Sequence, residues 1–296
     1  MEDAMAYVSI GFENKYPLEL HFTDRGAGEP VIMIHGYPFS GAAWECQERA
    51  LIEAGYRVIT YDRRGFGESS KPSTGYDFNT FAEDLNKIIT KLELKNVTLV
   101  GHSMGTGEIA RYLSRFGSAN VNRAVMVSPI PPFLLKTPDN STGLDQKIFD
   151  DFKASIKKDR YAFMTSFMKN FYGNGLISND GVSEEKLRAD FHLGVSSGAA
   201  AFLKCVDTWL EDFRDDVKSI DVPLLIIHGT EDKVLPIDST ARVLVKSVGE
   251  LVEISGGSHG IPWTHAEEVN SAILGFLEKG AHIPLQKNND LRPGIN

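Results

Sequence analysis

The sequence has little cysteine, only Cys46 and Cys205 in 296 residues. That excludes a disulfide scaffold. Each thiol lies in a helix-like apolar stretch and is expected to behave as a small buried hydrophobe. There is no run of four or more basic residues, and 31 Lys and Arg face 40 Asp and Glu, a net charge of −9. Nucleic-acid binding draws most of its affinity from cations on phosphates, so a nucleic-acid partner is excluded. No apolar run approaches the ~20 residues that span a bilayer, so no membrane segment is expected. The start, Met1-Glu-Asp-Ala, lacks the basic and apolar regions of a secretory signal, and the expected location is cytoplasmic. H-x-H, H-E-x-x-H and C-x-x-C spacings are missing too, so neither a metal site nor a cofactor is expected. With 42% hydrophobic and 24% charged residues, the chain can bury a large core. A homo-oligomer is compatible with this composition.

Short β-branched runs alternate with longer amphipathic ones. Residues 18–24, 31–34, 57–61, 97–100 and 124–127 read as strands, and 40–54, 78–92 and 105–116 as helices. Residues 31–34 are wholly apolar, as in a strand buried on both faces. Strand and helix in alternation imply right-handed βαβ units and a parallel sheet, an α/β fold. The alternation stops at Ser128-Pro-Ile-Pro-Pro-Phe133. From about 134 to 216 the pattern is purely helical, with Phe163, Met164, Phe167, Met168 and Phe171 along one stripe. Strands at 222–227 and 251–254 and helices at 238–248 and 265–279 then resume. The expected organisation is a core domain over 1–130 and 217–280, a helical cap over 131–216, and a loose polar tail over 281–296. Open parallel sheets bind ligands at the carboxyl ends of their strands, so the insertion is expected to roof a site there.

Gly101-His102-Ser103-Met104-Gly105 fits G-x-S-x-G, between an apolar strand and a helical stretch. This is the setting of a nucleophile elbow, in which a serine on a strained turn meets backbone N–H groups at a helix start. The overlapping Gly105-Thr-Gly107-Glu-Ile-Ala110 fits a dinucleotide fingerprint, but no acid follows in 121–128, and that reading falls. A serine nucleophile needs a base and an orienting acid. Two later strand-end loops offer them, His228-Gly-Thr-Glu231-Asp232 and Ser255-Gly-Gly-Ser-His259-Gly260. His259 is the expected base; Glu231 and Asp232 compete as the acid. His35, His102 and His228 are expected to make structural hydrogen bonds. The oxyanion hole needs two convergent N–H donors. Met104 supplies one and Tyr37, in the turn His35-Gly-Tyr-Pro38, the other, since Pro38 has no N–H.

Together with Asp62-Arg-Arg-Gly-Phe-Gly-Glu-Ser69, these motifs resemble the α/β-hydrolase superfamily over about residues 18–280. In that superfamily the acid closes the H-G-x-x-D pattern, which selects Asp232. Gly101–Glu108 with His35–Pro38 resembles the cofactor-free haloperoxidase, arylesterase and perhydrolase group, which also holds γ-lactamases. The resemblance implies an eight-stranded, mostly parallel sheet flanked by helices, with a helical cap. It also implies hydrolysis of small carboxylic or aryl esters through an acyl-serine, and a side reaction in which hydrogen peroxide replaces water and the peracid oxidises halide. The expected partners are a small ester or acid and hydrogen peroxide. Pro38 biases the conformation of Tyr37, whose carbonyl could then accept a hydrogen bond from peroxide. Tyr37 stands where many relatives carry Phe or Trp. Pro38, Ile130, Phe133 and Trp209 are expected to line the substrate pocket. The alternatives are an amide or lactone hydrolase on the same triad, a lyase, and a ligand receptor of the same fold.

Overall fold

The computed structural model describes residues 6–173 and 182–279; the tail expected over 281–296 lies outside the described residues. Apolar strands build one sheet from β1 (Ala6–Glu13), β2 (Tyr16–Gly26), β3 (Pro30–Ile34), β4 (Arg57–Tyr61), β5 (Val97–His102), β6 (Val121–Val127), β7 (Leu224–Gly229) and β8 (Glu250–Ile254). The spatial order is β1-β2-β4-β3-β5-β6-β7-β8. β2 is antiparallel to both its neighbours, and the remaining pairs are parallel. Successive side chains of a strand point to opposite faces. In β3, Val31 and Met33 therefore enter one core and Ile32 and Ile34 the other, which is why this strand is apolar throughout.

The helices are α1 (Glu45–Glu53), α2 (Phe78–Lys91), α3 (Met104–Phe116), α4 (Gln146–Phe171), α5 (Glu184–Val195), α6 (Ala199–Thr208), α7 (Arg214–Lys218), α8 (Ala241–Leu244), α9 (Ile261–Thr264) and α10 (Ala266–Glu278). Leu51 of α1 and Ile273 and Phe276 of α10 pack with Val31, Val58 and Val100 on one face. Phe81 and Leu85 of α2 and Ile109 and Leu113 of α3 pack with Ile32, Ile59 and Leu99 on the other. Helices α4 to α7 all fall between β6 and β7. No helix among the described residues is long and apolar enough to cross a membrane.

The structure departs from the sequence expectations at several points. β1 is an additional strand; its ladder with β2 slips between Ser9 and Gly11, where Gly11 has φ +127°, and this bulge breaks the alternation. Residues 134–145 are not helical. Thr137-Pro-Asp-Asn140 closes a turn in which Asn140 Nδ2 donates to the carbonyls of Phe133 and Leu135, both at 2.9 Å. α4 is broken at Asp159 (φ −163°, ψ 97°), whose carboxylate caps the second half by accepting from the N–H groups of Tyr161 and Ala162. The helix expected over 238–248 shrinks to a 3₁₀ turn and the four-residue α8, interrupted at Thr240. Both cysteines are free thiols, Cys205 buried as expected and Cys46 only half-buried on α1.

Candidate active site

β5 runs into α3 through Ser103, which sits at φ 53° and ψ −118°, a region non-glycine residues rarely occupy. The neighbouring glycines permit the turn. A Cβ on Gly101 would stand 2.8 Å from the Gly105 carbonyl, and one on Gly105 would stand 2.3 Å from the Ile34 carbonyl oxygen. The Ser103 N–H continues the sheet ladder to the Val127 carbonyl at 2.9 Å, and Thr106 Oγ1 donates to the Ser103 carbonyl at 2.6 Å. The strained residue is thus pinned on both sides.

The loops after β7 and β8 bring two of the expected residues to this serine. His259 Nε2 lies 2.9 Å from Ser103 Oγ, and His259 Nδ1 lies 2.6 Å from Asp232 Oδ2. Of the two competing acids, Asp232 is the one in contact; Glu231 lines an outer depression of about 450 Å³ with Lys169, Lys233 and His265. Burial alone would raise the Asp232 carboxyl, but His259 and His228 beside it hold it well below the usual carboxylate range. Its Oδ1 accepts from the N–H groups of Val234 and Leu235 at 2.9 and 2.8 Å. Asp232 is therefore ionised, and His259 Nδ1 donates to it. Nε2 is left as the acceptor for the serine proton. His259 is fully buried and Ser103 is 8% exposed.

The residues expected to supply the oxyanion donors stand after β3 and at the start of α3. A Cβ on Gly36 would stand 3.2 Å from Ser103 Cβ, so the turn carrying Tyr37 abuts the serine. His35 Nε2 accepts from the Arg63 N–H at 2.9 Å, which leaves Nδ1 to donate to the Gly36 carbonyl at 2.8 Å. The Phe39 N–H donates to the same carbonyl at 3.1 Å. Fixing that carbonyl fixes the planar Gly36–Tyr37 peptide, whose N–H points the opposite way. Among the described residues neither the Tyr37 nor the Met104 N–H is taken by an acceptor. Burial and the Arg63 charge push His35 down to about 3, which keeps it neutral.

Aromatic side chains, among them Phe167 of α4 and Phe202 of α6, pack around Tyr37. The Tyr37 ring is met edge-on by Trp209, Phe202, Phe167 and Phe66 with centroids 4.8 to 6.2 Å apart. Its hydroxyl donates to the Phe202 carbonyl at 2.8 Å, a tether to α6 that Phe could not make. Phe171, at the end of α4, stands 5.0 Å from the His259 ring, and the Gly260 N–H donates to its carbonyl at 2.9 Å. His102 Nε2 donates to the His259 carbonyl at 3.0 Å; burial and the nearby His259 push His102 down to about 3. Of the expected pocket residues, Trp209 lies against Tyr37. The Ile130 N–H donates to Thr106 Oγ1, and the Pro38 carbonyl accepts from Ser197 Oγ, both at 3.0 Å. Phe133 instead lies beneath the Arg214 guanidinium, 4.9 Å away.

Behind the Tyr37 turn is a polar cluster that sequence reasoning missed. Glu108 accepts from Tyr61 Oη and from Arg63 Nε (2.8 Å), and Arg63 Nη2 donates to the His35 carbonyl at 3.0 Å. Both charged side chains are buried, and burial pushes the Glu108 carboxyl up against the pull of Arg63. The signal was the pair of motifs Asp62-Arg-Arg and Gly105-Thr-Gly-Glu108, read separately. No cluster of three or more His, Cys, Asp or Glu among the described residues is placed to hold a metal ion.

Comparison with known proteins gives the same architecture. The family described as the alpha/beta hydrolase fold matches residues 29–266. The chain is 49% identical to a Synechocystis sp. protein that bears a provisional name as a non-heme chloroperoxidase, over 93% of this chain and 100% of that one. It is 34% identical to a bifunctional esterase/perhydrolase of Acinetobacter calcoaceticus, over 92% and 99% of the two chains. The crystal structure of a bromoperoxidase from Bacillus anthracis superimposes with a TM-score of 0.89 at 41% identity, covering 93% of this chain and 100% of that one.

Proposed function

The chain belongs to the alpha/beta hydrolase fold family, and from that membership we propose a cytoplasmic serine hydrolase that cleaves small carboxylic esters, aryl esters among them. The observation that carries this reading is the unbroken hydrogen-bonded run from Ser103 Oγ through His259 to an ionised Asp232. Ser103 Oγ attacks the ester carbonyl and His259 Nε2 takes its proton. The carbonyl oxygen becomes an oxyanion held by the N–H groups of Tyr37 and Met104. Collapse expels the alcohol, which leaves with the proton from His259, and the acyl group remains on Ser103. Water then attacks with His259 as base, and the carboxylic acid departs. Helices α4 to α7 act as a cap over this site, in keeping with the aromatic rings that α4 and α6 bring to Tyr37.

The relatives' names favour a second outcome for the same acyl-enzyme. Hydrogen peroxide replaces water, His259 takes its proton, and the peracid leaves. The peracid then oxidises bromide and reverts to the carboxylic acid, a route that uses neither haem nor metal. The Tyr37 carbonyl accepts no hydrogen bond among the described residues, so it is free to receive the distal O–H of peroxide.

The test uses p-nitrophenyl acetate for hydrolysis, and acetate with peroxide and bromide, read by bromination of monochlorodimedone, for perhydrolysis. Ser103→Ala should lower kcat for the ester by on the order of 10⁶ and abolish labelling by a phosphonate. Pro38→Leu should reduce bromination more than hydrolysis. Activity retained by Ser103→Ala would overturn the hydrolase reading. Equal losses in Pro38→Leu, or no peracid from the wild type, would leave hydrolysis alone.

A further inference from the structure

His228, the fifth residue of β7, is fully buried and has no part in the steps above. Its Nε2 lies 2.8 Å from the Leu235 carbonyl and 3.2 Å from Asp232 Oδ2. Both neighbours are acceptors, so the hydrogen-bond partners assign the ring proton to Nε2. Nδ1 has no partner among the described residues.

We propose that His228 is a positioning residue for the esterase site: its Nε2–H, donated to the Leu235 carbonyl, stands 3.2 Å from Asp232 Oδ2 and through that close approach holds the carboxylate in the orientation the base requires. The proposal rests on the hydrolase reading above. The geometry is a closed circuit: Leu235 N–H binds Asp232 Oδ1, Leu235 carbonyl binds His228 Nε2, and His228 Nε2 reaches Asp232 Oδ2. Without His228, two backbone N–H groups still grip Oδ1, but only His259 itself aims Oδ2. The carboxylate could then turn with the base instead of fixing it. The positive end of the Nε2–H dipole, 3.2 Å from Oδ2, also draws charge away from the bond to His259, so the carboxylate favours an imidazolium there less than one without this neighbour would.

The other charged or titratable groups around this pair are few. His102 comes from β5, next to the His259 ring. Glu253 pairs with His228 in the β8 register and is itself bound by Arg242 of α8. Glu231 and Lys233 flank Asp232 and line the outer depression. None of these reaches Oδ2 within hydrogen-bond distance.

The test compares His228→Phe, which keeps a ring but has no N–H, with His228→Gln, whose amide can still donate. Steady-state hydrolysis of p-nitrophenyl acetate is followed from pH 5 to 9, with wild type and Ser103→Ala alongside. His228→Phe should lose kcat by on the order of 10-fold with KM nearly unchanged, and its acid limb of kcat/KM should move to higher pH by about half a unit or more. His228→Gln should recover most of both effects. An acid limb at the wild-type position in His228→Phe, or no recovery in His228→Gln, would overturn the proposal. If His228→Phe does not fold, the ¹⁵N spectrum of histidine-labelled wild type decides. At pH 9, a His228 ring whose proton sits on Nε2 supports the proposal, and one whose proton sits on Nδ1 overturns it. A wild type without esterase activity would instead overturn the parent reading, and this inference with it.

Discussion

Gly105→Ala tests how closely α3 must approach β3. The added Cβ would stand 2.3 Å from the Ile34 carbonyl oxygen and 3.1 Å from Ile34 Cγ2. Real Cβ atoms essentially never come within 3.0 Å of such an atom, so helix and strand must separate by the difference, roughly 0.7 Å. Ile34 leads straight into the turn that carries the Tyr37 N–H, and Gly105 follows Met104. The two proposed oxyanion donors therefore ride on the two elements being forced apart. Removing one such donor outright costs about 10² to 10³ in kcat. A separation below 1 Å weakens both without removing either, so kcat for p-nitrophenyl acetate should fall by about 10²-fold with KM little changed. Overpacking should also cost about 1–3 kcal/mol of stability, read from the urea midpoint. Gly275→Ala in α10 is the control. Nothing lies within 4 Å of its added Cβ. It should gain about 0.5–1 kcal/mol from helix propensity and leave kcat alone. If Gly105→Ala loses stability yet keeps kcat within about 3-fold of wild type, the close approach does not set the oxyanion hole.

Acid stability should depend on histidines outside the catalytic step. Burial pushes His35 and His102 down to about 3, whereas an unfolded histidine titrates near ~6.5. The unfolded state therefore takes protons that the folded state refuses. Their contribution is whole above ~6.5 and is lost as pH falls towards the folded values, so the pair should cost about 4 kcal/mol between pH 7 and 5. A melting temperature that stays flat over that interval would contradict this. Arg63→Met leaves Glu108 as an uncompensated buried carboxylate, and should destabilise the protein by about 3–5 kcal/mol in chemical denaturation. Arg63→Met paired with Glu108→Leu should recover much of that loss, because an apolar pair of similar volume carries no desolvation penalty.

The parts of the molecule that were legible in the sequence are those whose physics is local. The central strands announce themselves because burial on both faces demands unbroken apolar residues, as in Val31-Ile-Met-Ile34. The elbow is legible because only glycine tolerates a backbone 2.3 Å from where Cβ would stand. What stayed hidden depends on partners distant in the chain. Glu108 lies on α3, where a lone glutamate in sequence reads as a solvated residue, and only the fold buries it against Arg63, 45 positions earlier. His228 was expected to make a structural hydrogen bond, and does, to Leu235. Its reach to Asp232 depends on a turn whose closure no periodicity reports. β1 escaped because a bulge at Gly11 disrupts the very alternation that marks a strand.

The sheet order has a consequence for synthesis. Ser103 precedes His259 by 156 positions, which at about 5–20 residues per second is roughly 8 to 30 s of translation. During that time the elbow and oxyanion turn can exist on the ribosome without a base, as a chemically idle half-site. β6 meanwhile has β5 on one side and, until β7 emerges after helices α4 to α7, nothing on the other. Its bare edge is Ala124-Val-Met-Val127, an apolar strand of the kind that recruits other chains. The nascent protein is thus most exposed to misassembly while α4 to α7 are being made, and the proposed triad is complete only when its last two strands close the edge.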